Sequence, residues 1–118
     1  MCLAACSSIP AGKALDLDAV VSEHARYDKQ RIVVAACVNV IIHGVALLPC
    51  GKDLPNVDIV EPNTGSGDYS RLVDYAHEHM GDSPEELPIL VFGQFHSAGA
   101  DESKRHSIAV ERFEPRRR

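Results

Sequence analysis

The chain has 118 residues, 45% of them apolar and 25% charged, which suits one ordinary domain with its own core and is too little for two. Twelve Lys and Arg stand against 17 Asp and Glu, a net charge of −5, so the broad positive field that a phosphate backbone needs is missing and general nucleic-acid binding is demoted. The longest apolar run, Ile32 to Ile42, is interrupted by Asn39 and falls short of the roughly 20 residues of a membrane-spanning helix. The mixed composition speaks against disorder, coiled coil and repeats.

Met1 to Ser8 reads Met-Cys-Leu-Ala-Ala-Cys-Ser-Ser. Leu3-Ala4-Ala5-Cys6 is similar to a bacterial lipobox, in which a branched apolar residue and two small ones precede a cysteine. Small residues are needed there because extended backbone must enter a narrow peptidase site. The likeness implies that Cys6 becomes the first residue, with a diacylglyceryl group on its thiol and an acyl chain on its amine. Two or more chains hold a protein firmly to a bilayer. Only five residues precede Cys6, so a positive segment and most of an apolar one are absent from this leader. The opposing reading is an intracellular protein whose apolar N-terminus packs on the body. Ser7 to Gly12 is small, polar and punctuated by Pro10 and Gly12, as a tether would be. The expected organisation is a leader remnant and tether over 1–14, a domain over 15–114 and a basic tail over 115–118.

Leu17, Val20 and Val21 recur at helical spacing behind Asp16 or Asp18 and predict a short helix over about 17–26. After a turn at Tyr27 to Gln30, one face of Arg31 to Ile42 is wholly apolar (Ile32, Val34, Ala36, Val38, Val40, Ile42). The other carries Arg31, Ala35, Cys37 and Asn39, so a long strand with an inside and an outside is expected. Val45, Leu47 and Pro49 continue the inside on a return strand, and Val57 to Val60 supplies a third. Asp68 can cap a helix striped by Leu72, Val73, Ala76 and Met80, with Gly81 where a C′ glycine belongs. Ile89 to His96 and His106 to Glu114 complete the strands, joined by a polar loop from Ser97 to Lys104.

The cysteines fall at 2, 6, 37 and 50 without a Cys-x-x-Cys pair, which gives no support to zinc-ribbon or thioredoxin-type readings. Cys37 and Cys50 flank His43-Gly44, a plausible two-residue hairpin turn. With that turn Ile42 faces Val45 and Cys37 faces Cys50 at a non-hydrogen-bonded pair, close enough for a disulfide. Pro49 would then stand opposite Val38 at a site needing a donor, so the ladder is expected to bulge or end there. A disulfide predicts an oxidising compartment; the opposing reading is two buried free thiols.

The order strand, strand, strand, helix, strand, strand after a leading helix is that of an OB-fold barrel. The expected fold is therefore mainly β with helices, a five-stranded OB-fold-like β-barrel with a helix between strands three and four. Gly93 suits a bulge at a barrel corner. The Tyr27-Asp28 turn before Arg31-Ile32-Val33-Val34, the run Gly44-Val45-Ala46-Leu47-Leu48-Pro49, and Val91-Phe92-Gly93-Gln94-Phe95 with Ile108-Ala109-Val110 resemble a group of small bacterial lipoproteins with an OB-fold-like domain. Lys29 and Ala36 stand where such relatives commonly have glycine. The resemblance implies that Ser7, following the lipidated cysteine, permits export to the outer membrane.

Chemistry is sparse. The face that OB-folds offer to nucleic acid would present Ala46, Leu48, Cys50 and either Asp58 or Val60, with no aromatic ring or cation. His77 and His79 are two apart on a helix, about 200° around it, and cannot grip one ion together. His96 and His106 are neighbours if their strands pair in a suitable register. These four are weak metal candidates, read as surface residues. Neither a Gly-x-Ser-x-Gly run nor a phosphate loop is present, so neither an enzyme nor a bound cofactor is expected. The expected function is a lipid-anchored bacterial envelope protein, a non-catalytic binding or assembly module, facing the periplasm from the outer membrane, with an envelope protein as its expected partner. The alternative is a soluble metal-binding protein using Cys37, Cys50 and histidines.

Overall fold

A computed structural model describes residues 14–41, 44–52, 55–63, 65, 67–80, 87–100 and 104–116. Its elements are β1 (Leu15–Asp16), α1 (Leu17–Ser22), α2 (His24–Tyr27), β2 (Arg31–Ile41), β3 (Gly44–Leu48), β4 (Val57–Val60), α3 (Tyr69–Met80), β5 (Leu87–His96) and β6 (Ser107–Pro115).

Five of these strands close a barrel. β2 pairs antiparallel with β3, β3 with β4, β6 with β5, and β5 again with β2, while β4 and β6 run parallel. A helix precedes the fifth element of that ring and the one parallel pair seals it, so the fold is a mainly β, OB-fold-like barrel. The length of β2 makes closure possible. Residues 31–38 pair with β5 on one edge while residues 37–41 pair with β3 on the other, so one strand serves both halves of the ring.

Alternation along the strands fills the interior. Ile32, Val34, Ala36 and Val38 meet Leu47, Val57, Ile89, Val91, Phe95 and Ile108 in one core, as period-two patterning dictates. From α3, Leu72 and Ala76 are fully buried in that core. Burying a leucine contributes about 1.5–3 kcal/mol, so Leu72 alone goes far towards docking the helix. Leu17 and Val20 of α1 join the same core. Met80, the expected end of the α3 stripe, has no described side chain, and Gly81 lies outside the described residues.

Backbone geometry at three places shapes the barrel. Phe92 pairs with Arg112 but Gly93 pairs with Val110, so Glu111 is an extra residue in β6 and the bulge expected at Gly93 lies across from it. A β-carbon on Gly93 would come 1.9 Å from the Ala109 carbonyl oxygen; only glycine lets the strands approach so closely. Asp28 (φ −55°, ψ 127°) and Lys29 (φ 64°) form the centre of a turn closed by Gln30 N–H donating to Tyr27 C=O at 2.9 Å. These angles are those of a type II turn, whose third position favours glycine. Asp68 precedes α3, its carbonyl accepting the Leu72 N–H at 2.8 Å. Its carboxylate accepts the Phe113 N–H at 3.2 Å and pairs with Arg71, so it ties the helix to β6 beyond the reach of β4.

Several expectations are corrected. The leading helix is two short pieces, because Glu23 leaves the helical region (φ −116°, ψ 40°). A sixth strand, β1, pairs parallel with β2 at Val34 and Ala35, the part of that edge which β3 does not reach. The hairpin register is shifted by two residues: Ile41 faces Gly44, Val38 faces Leu47 and Cys37 faces Leu48. Residues 42 and 43, not His43 and Gly44, lie between the paired positions. The ladder ends at Leu48, and Pro49 has no ladder position to fill. β6 extends through Pro115, one residue beyond the expected boundary.

Candidate functional site

Cys37 and Cys50 are joined in a disulfide, with Cα atoms 5.0 Å apart. They do not face each other across the ladder. Cys50 lies two residues past the end of β3, in a turn where Lys52 N–H donates to Pro49 C=O at 3.1 Å, and the turn folds it back onto Cys37. The sulfur of Cys37 is buried on the outer side of the sheet, its residue 4% exposed. Lys52 then pairs with Asp18 of α1, so the turn that carries the disulfide also touches the N-terminal helix. Asp18 is held below the usual carboxylate range by its hydrogen bond to Lys52, and Lys52 is raised by the same bond. A cysteine in a disulfide is not a thiolate ligand, which removes the sulfurs on which the metal-binding alternative drew. Cys6 lies outside the described residues.

The four candidate histidines are scattered. His77 and His79 are both exposed on α3, and His79 Nδ1 bonds the Tyr75 carbonyl at 2.9 Å with the two rings in contact. His96 pairs with Ser107 on the outer face, whereas His106, one residue earlier, turns to the other side. There its ring stacks on His24 of α2, centroids 4.6 Å apart and planes 27° from parallel, with Phe95 beside it. The Ala98 N–H donates to His106 Nδ1 at 2.9 Å, and His24 Nδ1 bonds Ser97 Oγ at 2.7 Å. Burial and then the charge of His24 hold the His106 pKa below the usual histidine range. Pairing of His106 with His24 escaped the sequence because the two are far apart along the chain and share no motif. Among the described residues no group of three or more His, Cys, Asp or Glu side chains is gathered for a metal ion.

Where an OB-fold would meet a ligand, the outward residues are Ala46 and Leu48 of β3 with both Asp58 and Val60 of β4. No aromatic ring stands among them. One cation does reach this face, against expectation: Arg105 bonds Asp58 Oδ1 through Nε at 3.1 Å and a terminal nitrogen at 2.6 Å. That carboxylate spends the charge locally. Further along, a groove of about 520 Å³ runs over Val60, Ala109 and Gly67 between Asn63, His96 and Glu111. Glu111, the extra residue, reaches Arg31 across β5, and Gly67 packs so closely on β6 that a β-carbon would stand 2.7 Å from the Val110 carbonyl. Gln94, Asn63 and Glu61 line the groove as well, so its walls offer amides, carboxylates and an imidazole over a small apolar floor. Such walls suit hydrogen bonding to a polar partner; they lack the stacking platforms by which single-stranded nucleic acid is held.

No protein-family model, curated protein or solved structure matches this chain.

Proposed function

We propose that this chain is a lipid-anchored protein of the bacterial cell envelope, attached through Cys6 and facing the periplasm from the outer membrane. Its disulfide-closed barrel serves as a non-catalytic binding or assembly module. The observation that carries the reading is the Cys37–Cys50 disulfide. These are the only cysteines of the domain itself, and structural disulfides persist in oxidising compartments, whereas cytosolic thiols are kept reduced. The lipobox-like Leu3-Ala4-Ala5-Cys6 supports the anchor independently, and Ser7 favours the outer membrane on the resemblance described above. The groove beside Asn63, Gln94 and Glu111 is the surface offered to a polar envelope partner.

The test is the intact mass of the protein from its native host, alkylated without prior reduction. The expected mass is that of Cys6 onward plus acyl chains, with Cys37 and Cys50 unmodified. An unprocessed Met1 with alkylated Cys37 and Cys50 would overturn the reading and place the protein in a reducing compartment.

A further inference from the structure

We propose that His24 and His106 form an acid-sensitive latch between α2 and the segments that leave β5 and enter β6, closed while the His106 ring is neutral and loosened when that ring is protonated.

The hydrogen bonds require neutral His106. Its Nδ1 accepts the Ala98 N–H at 2.9 Å, so the ring carries its single proton on Nε2. A second proton would put an N–H against an N–H, turning an attraction into a repulsion and leaving the Ala98 amide without its partner. Stacking imposes the same requirement. At 4.6 Å between centroids, two imidazolium rings would meet face to face with like charge, and like charges at short range disfavour ionisation.

The surroundings do little to relieve that charge. Glu23, between α1 and α2, pairs with Arg26 of α2 at 3.4 Å. Asp28, in the turn after α2, uses Oδ1 to accept the Ser97 N–H at 2.9 Å. On the β4 side Asp58 is bound to Arg105, and Lys104, which lines a surface pocket together with His24 and His106, adds positive charge. From β5, Phe95 contributes an apolar ring and His96 faces the opposite side of the sheet. Among the described residues neither imidazole is in an ion pair. The lowered pKa of His106, caused by burial first and His24 second, agrees with this picture.

The His106 side of the latch is fixed to the strands. The His106 carbonyl accepts the Asp58 N–H at 3.0 Å, which anchors it to β4. Its contacts with α2 and with Ala98 run through the ring. Protonation therefore breaks the Ala98 hydrogen bond and disfavours the stack on His24, while the strand ladder, the Lys29 N–H to Phe95 C=O bond and the Ser97 N–H to Asp28 bond stay in place.

The experiment uses the full chain with its disulfide intact. Ring signals of His106 are titrated by NMR, and hydrogen exchange at the Ala98 amide is followed over the same range after correction for intrinsic pH dependence. The expected result is a His106 titration below the ordinary histidine range, with Ala98 protection falling at least about tenfold across it. In His106→Asn the side-chain oxygen can accept the same N–H at any pH, so protection should stay flat. Ordinary titration of His106 with unchanging Ala98 protection in the native chain would overturn the proposal. So would a His106→Asn variant that keeps the acid-induced loss.

Discussion

Replacing both Cys37 and Cys50 by alanine tests the element on which the functional reading rests. The bridge spans a sequence separation of 13 and so closes a ring of 14 residues counting both ends. In the chain-entropy account a ring of that size restricts the unfolded state by about 3 kcal/mol at 25 °C. Cys37 is also buried, so truncation to alanine forfeits sulfur contacts and adds somewhat under 1 kcal/mol. The total is about 3–4 kcal/mol, a large share of the roughly 5–15 kcal/mol by which a domain of this size is stable. Urea unfolding followed by circular dichroism is the assay, run on the oxidised chain, the reduced chain and the double variant. The midpoint should fall by a similar amount in the last two, and the m value should rise, because an uncrosslinked unfolded chain exposes more surface. Coincident midpoints for oxidised and reduced protein, with thiol counting to prove reduction, would refute the reasoning.

Three further outcomes follow from single positions. Lys29→Gly relieves a left-handed residue at φ 64° and should stabilise the fold by about 1 kcal/mol in the same urea assay; a destabilised variant would contradict the turn assignment. Asp68→Ala removes the acceptor of the Phe113 N–H and should cost about 2 kcal/mol. Asp68→Asn keeps an acceptor oxygen and should recover most of that, since the exposed pairing with Arg71 is worth little; equal losses in both would show that the ion pair matters more. His106, with its lowered native pKa, binds fewer protons when folded than when unfolded. Its contribution is therefore fully present above the unfolded value of about 6.5 and falls as pH drops from there towards the native value. Unfolding free energies compared at pH 7.5 and pH 5 should show a loss that is smaller in His106→Asn; equal losses would assign the acid sensitivity to other groups.

What the sequence made legible, and what it hid, divides along the range of the interactions involved. Strand faces depend on parity alone: the hairpin register differs from expectation by two residues, yet Val45 and Leu47 remain inside and Ala46 outside, because only an odd slip exchanges the faces. The cysteine pairing was reached for a different reason than the ladder supposed: Cys37 faces Leu48, and the turn after Leu48 brings Cys50 back onto it. Features that need a partner from elsewhere in the chain were hidden. Two residues of β1 are too few for any period, and they are a strand only because β2 has an open edge at Val34 and Ala35. Phe92 shows the same dependence: its place on the outer face suggests exposure, but it is 2% exposed, with Arg112 over its ring at 3.9 Å. The groove is lined by the bulge residue Glu111 and the closely packed Gly67, which come from different parts of the chain, and the latch depends on the meeting of α2 with the start of β6. In this fold the period-two pattern decides what the barrel is made of, while the residues offered for chemistry are brought together where that pattern is interrupted. A test of the proposed partner surface therefore belongs at Asn63, Gln94 and Glu111, beside the bulge, rather than along the regular stretch of β3 and β4 where Arg105 and Asp58 already satisfy each other.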